Sequence, residues 1–434
     1  MRGKARVTRK RYDKHALYGG WQHVTITGTP MERGKQHGRQ LHVGLRRLFF
    51  VLPFLVEQTY NITIEAYYAM CRALVSKTVH DDFPELYEEL TGISVGARER
   101  GMHCTVDQLI AWNAFLSMYE LLHPKKSHQR CSAFIATGNA TAHGDIVMSH
   151  NTHCDLASGS LYNVVMHVVP TSGFAFVMQT APGMVCSGTD FFVSASGIIG
   201  CETTIAFAKY LPQFKGNYPY FCRIRQAMQY GTTLDAYADI MTTKNAGDYP
   251  CSWLFGDIRT REIMLCEVGL KEFNVQRTKN GIFFGMNSAM SKQLRSRETT
   301  DTTHTDVTKS TGARHRRLKT LLFKRYYGKI TCAVAKQIIR DHYDEDKRVH
   351  RPSNLTVCNH AYTGGERPHA ATDGKVVDSE MAKELRFWGL FGSSCGTPFS
   401  KKAYIQTNPK YKAWAPYLVD VPRHAWTVVG AVPR

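Results

Sequence analysis

The feature that most constrains the fold is a long block of short β-type segments lying between helical regions. Residues 34–122 carry apolar positions at intervals of three or four, which predicts helices. From 131 to about 208 the pattern changes to short runs separated by Gly, Asn and Pro, which predicts consecutive antiparallel strands. A return to helix is predicted over 220–246, followed by hairpins in 251–269 and 272–287. The order of these segments predicts a mixed α+β protein.

Composition and charge narrow the class of protein. The chain has 434 residues, of which 43% are hydrophobic, so it can build a large core without disulfides or metal. The formal net charge of +19 favours nucleic acid, an anionic membrane surface or an acidic substrate as a partner. A nucleic-acid-binding protein would carry a recognisable module, and none is present in the sequence. Nucleic acid is therefore not the expected partner.

The cysteines and the most apolar run bear on compartment and cofactors. Twelve cysteines are spread along the chain without a CxxC pair, which argues against a zinc ribbon and fits buried thiols in a reducing compartment. The basic first twenty residues lack the apolar stretch of a signal peptide, so we expect a cytoplasmic or already processed chain. The run at 48–56 contains Pro53 and is too short to span a bilayer.

One predicted hairpin contains the candidate nucleophile. The segment "CSAFIATGNATAHGDIVMSHNTH", residues 131–153, predicts a strand, a polar turn and a return strand. Alternation places Cys131 on the face of Ala133 and Ile135, as the first residue of a half-buried strand at the sheet edge. Cleavage of the peptide bond between Arg130 and Cys131 would free an α-amino group with a pKa of about 7.7–8.0 beside the thiol. Nucleophile and base would then belong to one residue.

Several other segments, in the same order and spacing, strengthen this interpretation. They are "GTPMERGKQHGRQL" (28–41), "FPELYEELTGISVGARERG" (83–101), "KNAGDYPCSWLFGDIRTREIMLCEVG" (244–269), "FFGMNSAM" (283–290), "VCNHAYTGGERPHAATDGKVVD" (357–378) and "CGTPF" (395–399). Together with the hairpin, they resemble the N-terminal-nucleophile hydrolases that include acyl-coenzyme A:6-aminopenicillanate acyltransferases and phospholipase B-like proteins. The resemblance covers roughly residues 25–405.

The resemblance implies a four-layer αββα sandwich, with two stacked sheets between helices. It also implies a precursor that cuts itself before Cys131. The mainly helical segment 1–130 would then become a separate chain, still packed in one domain with the nucleophile-bearing portion 131–434.

The resemblance also implies roles for individual residues. Cys131 matches the nucleophile, and Asn287 in "GMNSAM" lies where the family has an asparagine near the oxyanion. His150 and Asn151 lie on the return strand, where phospholipase B-like members also have a histidine. The sequence departs from the family pattern at His153 and Cys154, which leaves the roles of His153 and Asp155 open, and His153 is taken as a candidate for substrate binding.

Four further residues are candidates for substrate binding. Thr203 and Thr204 either reach the pocket floor or serve strand propensity. Arg295 and Arg297 lower the pKa of the thiol, hold a substrate carboxylate or are solvated. The arginines lie in a basic segment, 292–319, which is expected to be a solvated loop or an anion-binding rim.

No metal site is expected at the hairpin. His150, His153, Cys154 and Asp155 alternate along a strand and point to opposite faces, so one ion cannot collect them. The predicted chemistry needs neither a metal nor an organic cofactor.

The predicted function is that of a self-processing cysteine acyl hydrolase or acyltransferase that cleaves an N-acyl amide bond. The partner would be a small acyl-amide substrate. One alternative is a phospholipase B-like enzyme that hydrolyses lipid acyl esters at an anionic membrane surface. The other is a catalytically silent member that binds lipid or an anion through its positive charge.

Overall fold

The computed structural model describes residues 19–122 and 131–431. The strands are β1 (Gln22–Gly28), β2 (Cys131–Gly138), β3 (Gly144–Asp155), β4 (Val164–Pro170), β5 (Phe176–Thr180), β6 (Phe191–Ser194), β7 (Ile198–Thr204), β8 (Cys251–Asp257), β9 (Glu262–Val268), β10 (Phe273–Thr278), β11 (Gly281–Gly285), β12 (Tyr343–Asp344), β13 (Val349–His350), β14 (His369–Ala371), β15 (Asp373–Asp378), β16 (Arg386–Phe391) and β17 (Thr427–Gly430).

Helices flank these strands along the chain. They are α1 (Pro30–Tyr60), α2 (Ile64–Cys71), α3 (Lys77–Asp82), α4 (Pro84–Arg98), α5 (Val106–Asn113), α6 (Tyr119–Leu122), α7 (Leu156–Gly159), α8 (Tyr220–Tyr230), α9 (Leu234–Thr242), α10 (Lys292–Glu298), α11 (Ser310–Thr320), α12 (Cys332–Ile339), α13 (Ser379–Lys383) and α14 (Lys401–Thr407). Short π turns follow α2 and α11, and 3₁₀ turns lie at Ala361–Gly364 and Pro409–Trp414.

The strands form two large sheets. The first has the order β1-β4-β5-β6-β7-β8-β9-β10, in which only the β1–β4 pair is parallel. The second has the order β11-β2-β3-β15-β16-β17, with β14 also paired to β3. The hairpin predicted from Cys131 is the β2–β3 pair, in which Cys131 lies opposite Thr152.

One predicted hairpin is wrong. The strands β10 and β11 follow each other closely, but β10 pairs with β9 in the first sheet and β11 pairs with β2 in the second. The apolar sequence of β11 is covered on the second sheet, while β10 forms the largely exposed edge of the first. Alternation along a strand predicts which side chains are buried but does not say which sheet buries them.

The two sheets stack face to face. On the inner face of the second sheet, Ile135 and Ile146 approach Ile199 and Gly256 of the first sheet so closely that a Cβ on Gly256 would lie 2.9 Å from Ile135 Cδ1. On its outer face, Phe134 and Val147 pack with apolar residues of α11 and α12. β2 is therefore buried on both faces, which corrects the half-buried strand predicted from its alternation.

Helices also cover the outer face of the first sheet. α1 contacts β1 and β4, α8 contacts β6, and α9 contacts β8 and β9. α1 and α4 cross at unusually short range through glycines, since a Cβ on Gly34 would lie 2.1 Å from the Glu89 carbonyl oxygen and one on Gly38 2.2 Å from that of Ile93. The layer order is helices, sheet, sheet, helices, which confirms the predicted αββα sandwich.

The basic segment 292–319 is mostly not the solvated loop expected from its composition. Residues 310–320 form α11, whose Arg314 and Leu318 are buried against the second sheet. Small residues precede Arg314, and leucines recur at Leu318, Leu321 and Leu322, so one face of the helix can pack. The high density of Lys and Arg conceals this helical period.

The apolar run at 48–56 lies inside α1, and Leu48, Val51, Leu52 and Leu55 are buried in the main core. Across residues 19–122 and 131–431, no helix combines the length and the apolarity that crossing a membrane requires.

Candidate active site around Cys131

Cys131 lies at the end of a central strand and lines a pocket. Its side chain is 3% exposed and shares the inner face of the second sheet with Ala133 and Ile135. The pocket has a volume of about 600 Å³, including its open mouth. It is lined by Thr59, Phe115, Leu116, Cys131, His153, Cys154, Asp155, Ser158, Tyr162, Gly188, Asp190, Tyr249, Arg367 and His369. Residues from both sheets and from the helical segment before Cys131 thus meet at the thiol.

Two side chains hold the main chain of Cys131. Its backbone N–H donates to Asn287 Oδ1 at 3.2 Å, and its carbonyl oxygen accepts a hydrogen bond from Arg314 Nη1. Arg314 Nη2 donates to the same Asn287 oxygen at 2.9 Å. Arg314 and Asn287 are both almost fully buried. The main-chain position of the predicted nucleophile is therefore set by a charged hydrogen-bond network.

Asn287 connects the two sheets at this point. It follows β11 and has a φ of 78°, in the left-handed region that Asn tolerates better than most residues. Its Nδ2 donates to the Thr204 carbonyl oxygen at 3.1 Å. Because two donors converge on Oδ1, the orientation of the side-chain amide is well determined. In this arrangement the oxygen faces Cys131, whereas the amide hydrogens serve the first sheet.

Arg314 is a site residue that the sequence alone did not identify. Its Nε donates to Ser310 Oγ at 3.0 Å and its Nη1 to Ser132 Oγ at 3.2 Å, besides the bonds to Cys131 and Asn287. Burial lowers the pKa of its guanidinium to about 9, and the adjacent Cys131 thiol opposes that shift, so Arg314 stays protonated at neutral pH. A fixed positive charge thus lies at the Cys131 main chain, and the Lys375 ammonium is a further neighbouring charge, one that lowers the pKa of the thiol.

The thiol itself is not activated in this state. Burial raises the pKa of Cys131 well above its ordinary value, and the carboxylates of Glu202 and Asp190 raise it further. Those two carboxylates meet at Tyr249, whose hydroxyl oxygen lies 2.6 Å from Glu202 and 3.0 Å from Asp190 and can donate its single hydrogen to one of them at a time. Deprotonation of Cys131 at neutral pH therefore needs a nearby base.

Two histidines, His150 and His153, lie on β3, the return strand of the Cys131 hairpin. His150 Nε2 lies 3.0 Å from the Glu202 carbonyl oxygen, which makes this nitrogen the N–H donor. His153 lines the pocket, with Nε2 3.2 Å from the Val357 carbonyl oxygen. Burial lowers the pKa of both imidazoles well below the usual value, so both are neutral at pH 7.

Asn151 supports the strand start rather than facing the pocket. Its Oδ1 accepts from the Ser132 backbone N–H at 3.1 Å. Its Nδ2 donates to the carbonyl oxygens of Ile339 and Val357 at 3.0 and 3.1 Å. One side chain therefore fastens the residue after Cys131 to two loops behind the sheet.

The remaining predicted residues do not line the pocket. Thr204 contributes its carbonyl to Asn287 and its hydroxyl to Tyr249, while the Thr203 hydroxyl is buried against Gly285. Arg295 donates to the Ala289 carbonyl oxygen, and Arg297, with its side chain 61% exposed, pairs with Glu272. Arg130, the residue before the predicted cleavage point, lies outside the described residues.

Comparison with known proteins finds distant similarity only. No protein-family model matches this sequence. A stretch of 251 residues, 55% of the chain, is 25% identical to an uncharacterized protein of Archaeoglobus fulgidus, of which it covers 41%. The chain therefore spans less than half the length of that curated relative.

Among solved structures, two variants of the conjugated bile acid hydrolase of Clostridium perfringens align with the chain. Each covers 60% of this chain, at 10% sequence identity, with TM-scores of 0.36 and 0.33. The alignments include 89% and 88% of the bile acid hydrolase chains.

Proposed function

We propose that this chain is a self-processing cysteine acyl hydrolase that cleaves an amide bond with Cys131 as the nucleophile. One observation carries the proposal. The backbone nitrogen of Cys131, which cleavage would convert into the α-amino group, is held by Asn287 at the edge of the pocket that the thiol lines. An N-terminal cysteine in that position would bring its own base to the reacting centre.

The reaction would proceed in two halves. The Cys131 sulfur attacks the amide carbonyl carbon while the α-amino group takes the thiol proton. The tetrahedral intermediate then collapses, the ammonium returns this proton to the departing nitrogen, and an acyl thioester remains on Cys131. Water, deprotonated by the same amine, opens the thioester and releases the acid, and an amine in place of water gives acyl transfer.

The raised pKa of the Cys131 thiol supports a mechanism in which the sulfur is the nucleophile and the α-amino group is the base. A thiol protonated at neutral pH needs a base at hydrogen-bond distance, and burial makes both histidines predicted on the return strand weak bases by lowering the pKa of their imidazoles. An α-amino group with a pKa of about 7.7–8.0 is suited to the task near neutral pH. Arg314 would stabilise the thiolate as it forms.

Self-cleavage would leave residues 1–130 and 131–434 as two associated chains. β1 of the first piece pairs in parallel with β4 of the second along seven residues. The buried Glu89 carboxylate of the first piece accepts from Arg225 of the second at 2.9 Å. Shared sheet and buried ion pairs would hold the pieces in one domain after the peptide bond is cut.

The lipid-ester alternative keeps only part of its electrostatic support. In the basic segment 292–319, Arg314 is buried at Cys131 and Arg317 pairs with Asp341 at 2.7 Å, whereas Lys292, Arg297, Lys309, Arg316 and Lys319 are exposed. An amide is the better substrate class for a site whose acid is the Cys131 ammonium, because the departing nitrogen requires a proton.

Trapping the acyl-enzyme tests this function. The protein is mixed with N-acyl p-nitroanilides from acetyl to dodecanoyl, quenched in acid and analysed by mass spectrometry of the separated chains. We expect the acyl mass on the piece that begins at Cys131, at its first residue. Turnover with the acyl group on another residue would contradict the proposal, and neither turnover nor adduct would favour the catalytically silent alternative.

Asn287 allows a second test, because its Oδ1 and Nδ2 atoms would have different roles. If its oxygen orients the α-amino group of Cys131, Asn287→Asp should keep kcat within about tenfold, whereas Asn287→Gly should lower kcat by about 10²–10³. Glycine suits the positive φ, so the second variant is not strained. Kinetics on the anilide series would measure both effects.

The pH profile separates this positioning role from the oxyanion role. The carboxylate of Asn287→Asp would stabilise the Cys131 ammonium and raise its pKa, so the rise of kcat/KM should move to higher pH. An oxyanion role through Nδ2 would instead give equal losses in the Asp and Gly variants and no shift of the profile. Wild-type rates in both variants would leave Asn287 with a purely structural role.

A further inference from the structure

A cluster of metal-ligating side chains lies next to Val357, whose carbonyl oxygen contacts Asn151 and His153 of β3. Its members are His342, Cys358, His360 and Cys395, each offering one ligand atom, and these four atoms all lie within 4.8 Å of one another. His342 follows α12, Cys358 and His360 precede the 3₁₀ turn, and Cys395 follows β16. The four side chains converge from three separate loops.

Three of the six distances between the ligand atoms are close to those of tetrahedral zinc, and all six lie within 4.8 Å. With Zn–S of about 2.3 Å and Zn–N of about 2.0–2.1 Å, ligand atoms lie roughly 3.3–3.8 Å apart around the ion. The two Nε2 atoms of His342 and His360 are 3.1 Å apart. His360 Nε2 lies 3.3 Å from Cys358 Sγ and 3.5 Å from Cys395 Sγ.

Hydrogen bonds alone cannot account for the four close neighbours of His360 Nε2. His360 Nε2 has His342 Nε2, Cys358 Sγ, Cys395 Sγ and, at 3.3 Å, Ser393 Oγ as neighbours. A single ring nitrogen has either one hydrogen or one lone pair and cannot serve four partners. A cation between the four ligand atoms would satisfy all of them.

We propose that His342, Cys358, His360 and Cys395 bind one zinc ion, with two thiolates and two neutral imidazoles as ligands. Two sulfur and two nitrogen ligands form a common structural zinc set, and four protein ligands leave no position for substrate. The proposal does not depend on the hydrolase function of Cys131.

Side chains around the four proposed ligands can form hydrogen bonds to them, as zinc sites require. Ser393 Oγ and Thr397 Oγ1 each lie 3.0 Å from Cys395 Sγ, where their hydroxyls can donate to a thiolate. His360 Nδ1 lies 3.4 Å from the Tyr362 hydroxyl, which fixes the ring with Nε2 toward the ion. Outer partners of this kind orient ligands and raise metal affinity.

The site would stabilise loops on which the strand start depends. Asn151 Nδ2 lies within hydrogen-bond distance of Ile339 O, Val357 O and Ser394 Oγ, and each of these residues lies within three positions of a cluster member. Residues 356–361 are buried although they contribute no strand to either sheet. A zinc ion would hold these loops behind β3 and, through Asn151, hold the backbone next to Cys131.

Metal analysis of the purified full-length protein, made without a histidine tag, tests the proposal. We expect one zinc per chain by elemental mass spectrometry after dialysis. The Cys358→Ser/Cys395→Ser double variant should lose zinc by at least about tenfold. The matched control is Cys332→Ser, a partly buried cysteine that bonds to Asp378 outside the cluster and should keep its zinc.

Cobalt substitution of the wild-type protein gives a result even if the double variant does not fold. Tetrahedral cobalt with two thiolates has intense visible bands and sulfur-to-metal charge transfer, which we expect to be present in wild type and in Cys332→Ser. Wild-type protein that binds neither zinc nor cobalt would overturn the proposal. So would equal zinc in the double variant, or a denatured thiol count two short of the twelve cysteines, which would mean a disulfide.

Discussion

Cys131→Ala is expected to remain a single chain of 434 residues, whereas the wild-type protein should separate under denaturing conditions into pieces spanning 1–130 and 131–434. The alanine variant lacks the sulfur that would attack the Arg130 carbonyl, so neither self-cleavage nor substrate acylation can begin. We expect its turnover of N-acyl anilides to fall at least about 10⁴-fold. Intact mass and N-terminal sequencing would measure the first effect, and steady-state kinetics the second.

Two controls sharpen this result. Cys131→Ser keeps a nucleophilic oxygen and should be cut more slowly than wild type at the same bond. Cys154→Ser changes a neighbouring pocket cysteine and should be cut normally. Under native conditions the wild-type pieces should elute together, because β1 pairs with β4 across the cut. A wild-type chain that stays whole on prolonged incubation, with a Cys131→Ala variant of equal activity, would end the self-processing proposal.

Arg314→Met is expected to lower kcat by about 10²–10³ on anilide substrates. This substitution removes the donors to the Cys131 carbonyl and to Asn287 Oδ1, together with the positive charge beside the thiol. Arg314→Lys restores the charge but cannot reach Cys131, Ser132 and Asn287 at once, so it should recover only part of the loss. Stopped-flow measurement of acylation would locate the defect in the first half-reaction.

A thiol probe distinguishes this positioning role from general loss of structure. The rate of Cys131 alkylation by iodoacetamide reports the thiolate fraction, and we expect its pH midpoint to rise in Arg314→Met and less in Arg314→Lys. Arg316→Met, on the exposed side of the same helix, is the matched control and should leave both alkylation and kcat unchanged. An unchanged alkylation profile in a folded Arg314→Met protein would contradict a role for Arg314 at the thiol.

The sequence predicted the layers more completely than the connections between them. Short alternating runs with polar turns predicted β4 to β9 and the hairpin at Cys131, because those pairings are local. The move of the chain from β10 in one sheet to β11 in the other was not predictable. β10 forms a local hairpin with β9, whereas the pairing of β11 with β2 joins segments that lie far apart in the chain.

The residues of the candidate site also fall into those that the sequence predicted and those that it did not. The sequence predicted Cys131, His153 and Asn287 as site residues because each of them lies in a recognisable local motif. The roles of Arg314, Asp190, Glu202 and Tyr249 at the thiol were hidden, because each lies far from Cys131 along the chain. Only the stacking of two sheets and a covering helix brings those groups to the end of β2.

The amino-acid sequence by itself therefore determined the helices of 34–122, the strands of 131–208 and 251–269 with their local pairings, and the position of the thiol at a strand start. These depend on periodicity and turn residues, which act over a few positions. The tertiary structure alone decided that Cys131 is buried beside a charged Arg314, and that His342, Cys358, His360 and Cys395 meet. Such encounters join loops far apart in the chain, and burial of apolar surface, rather than local spacing, brings them together.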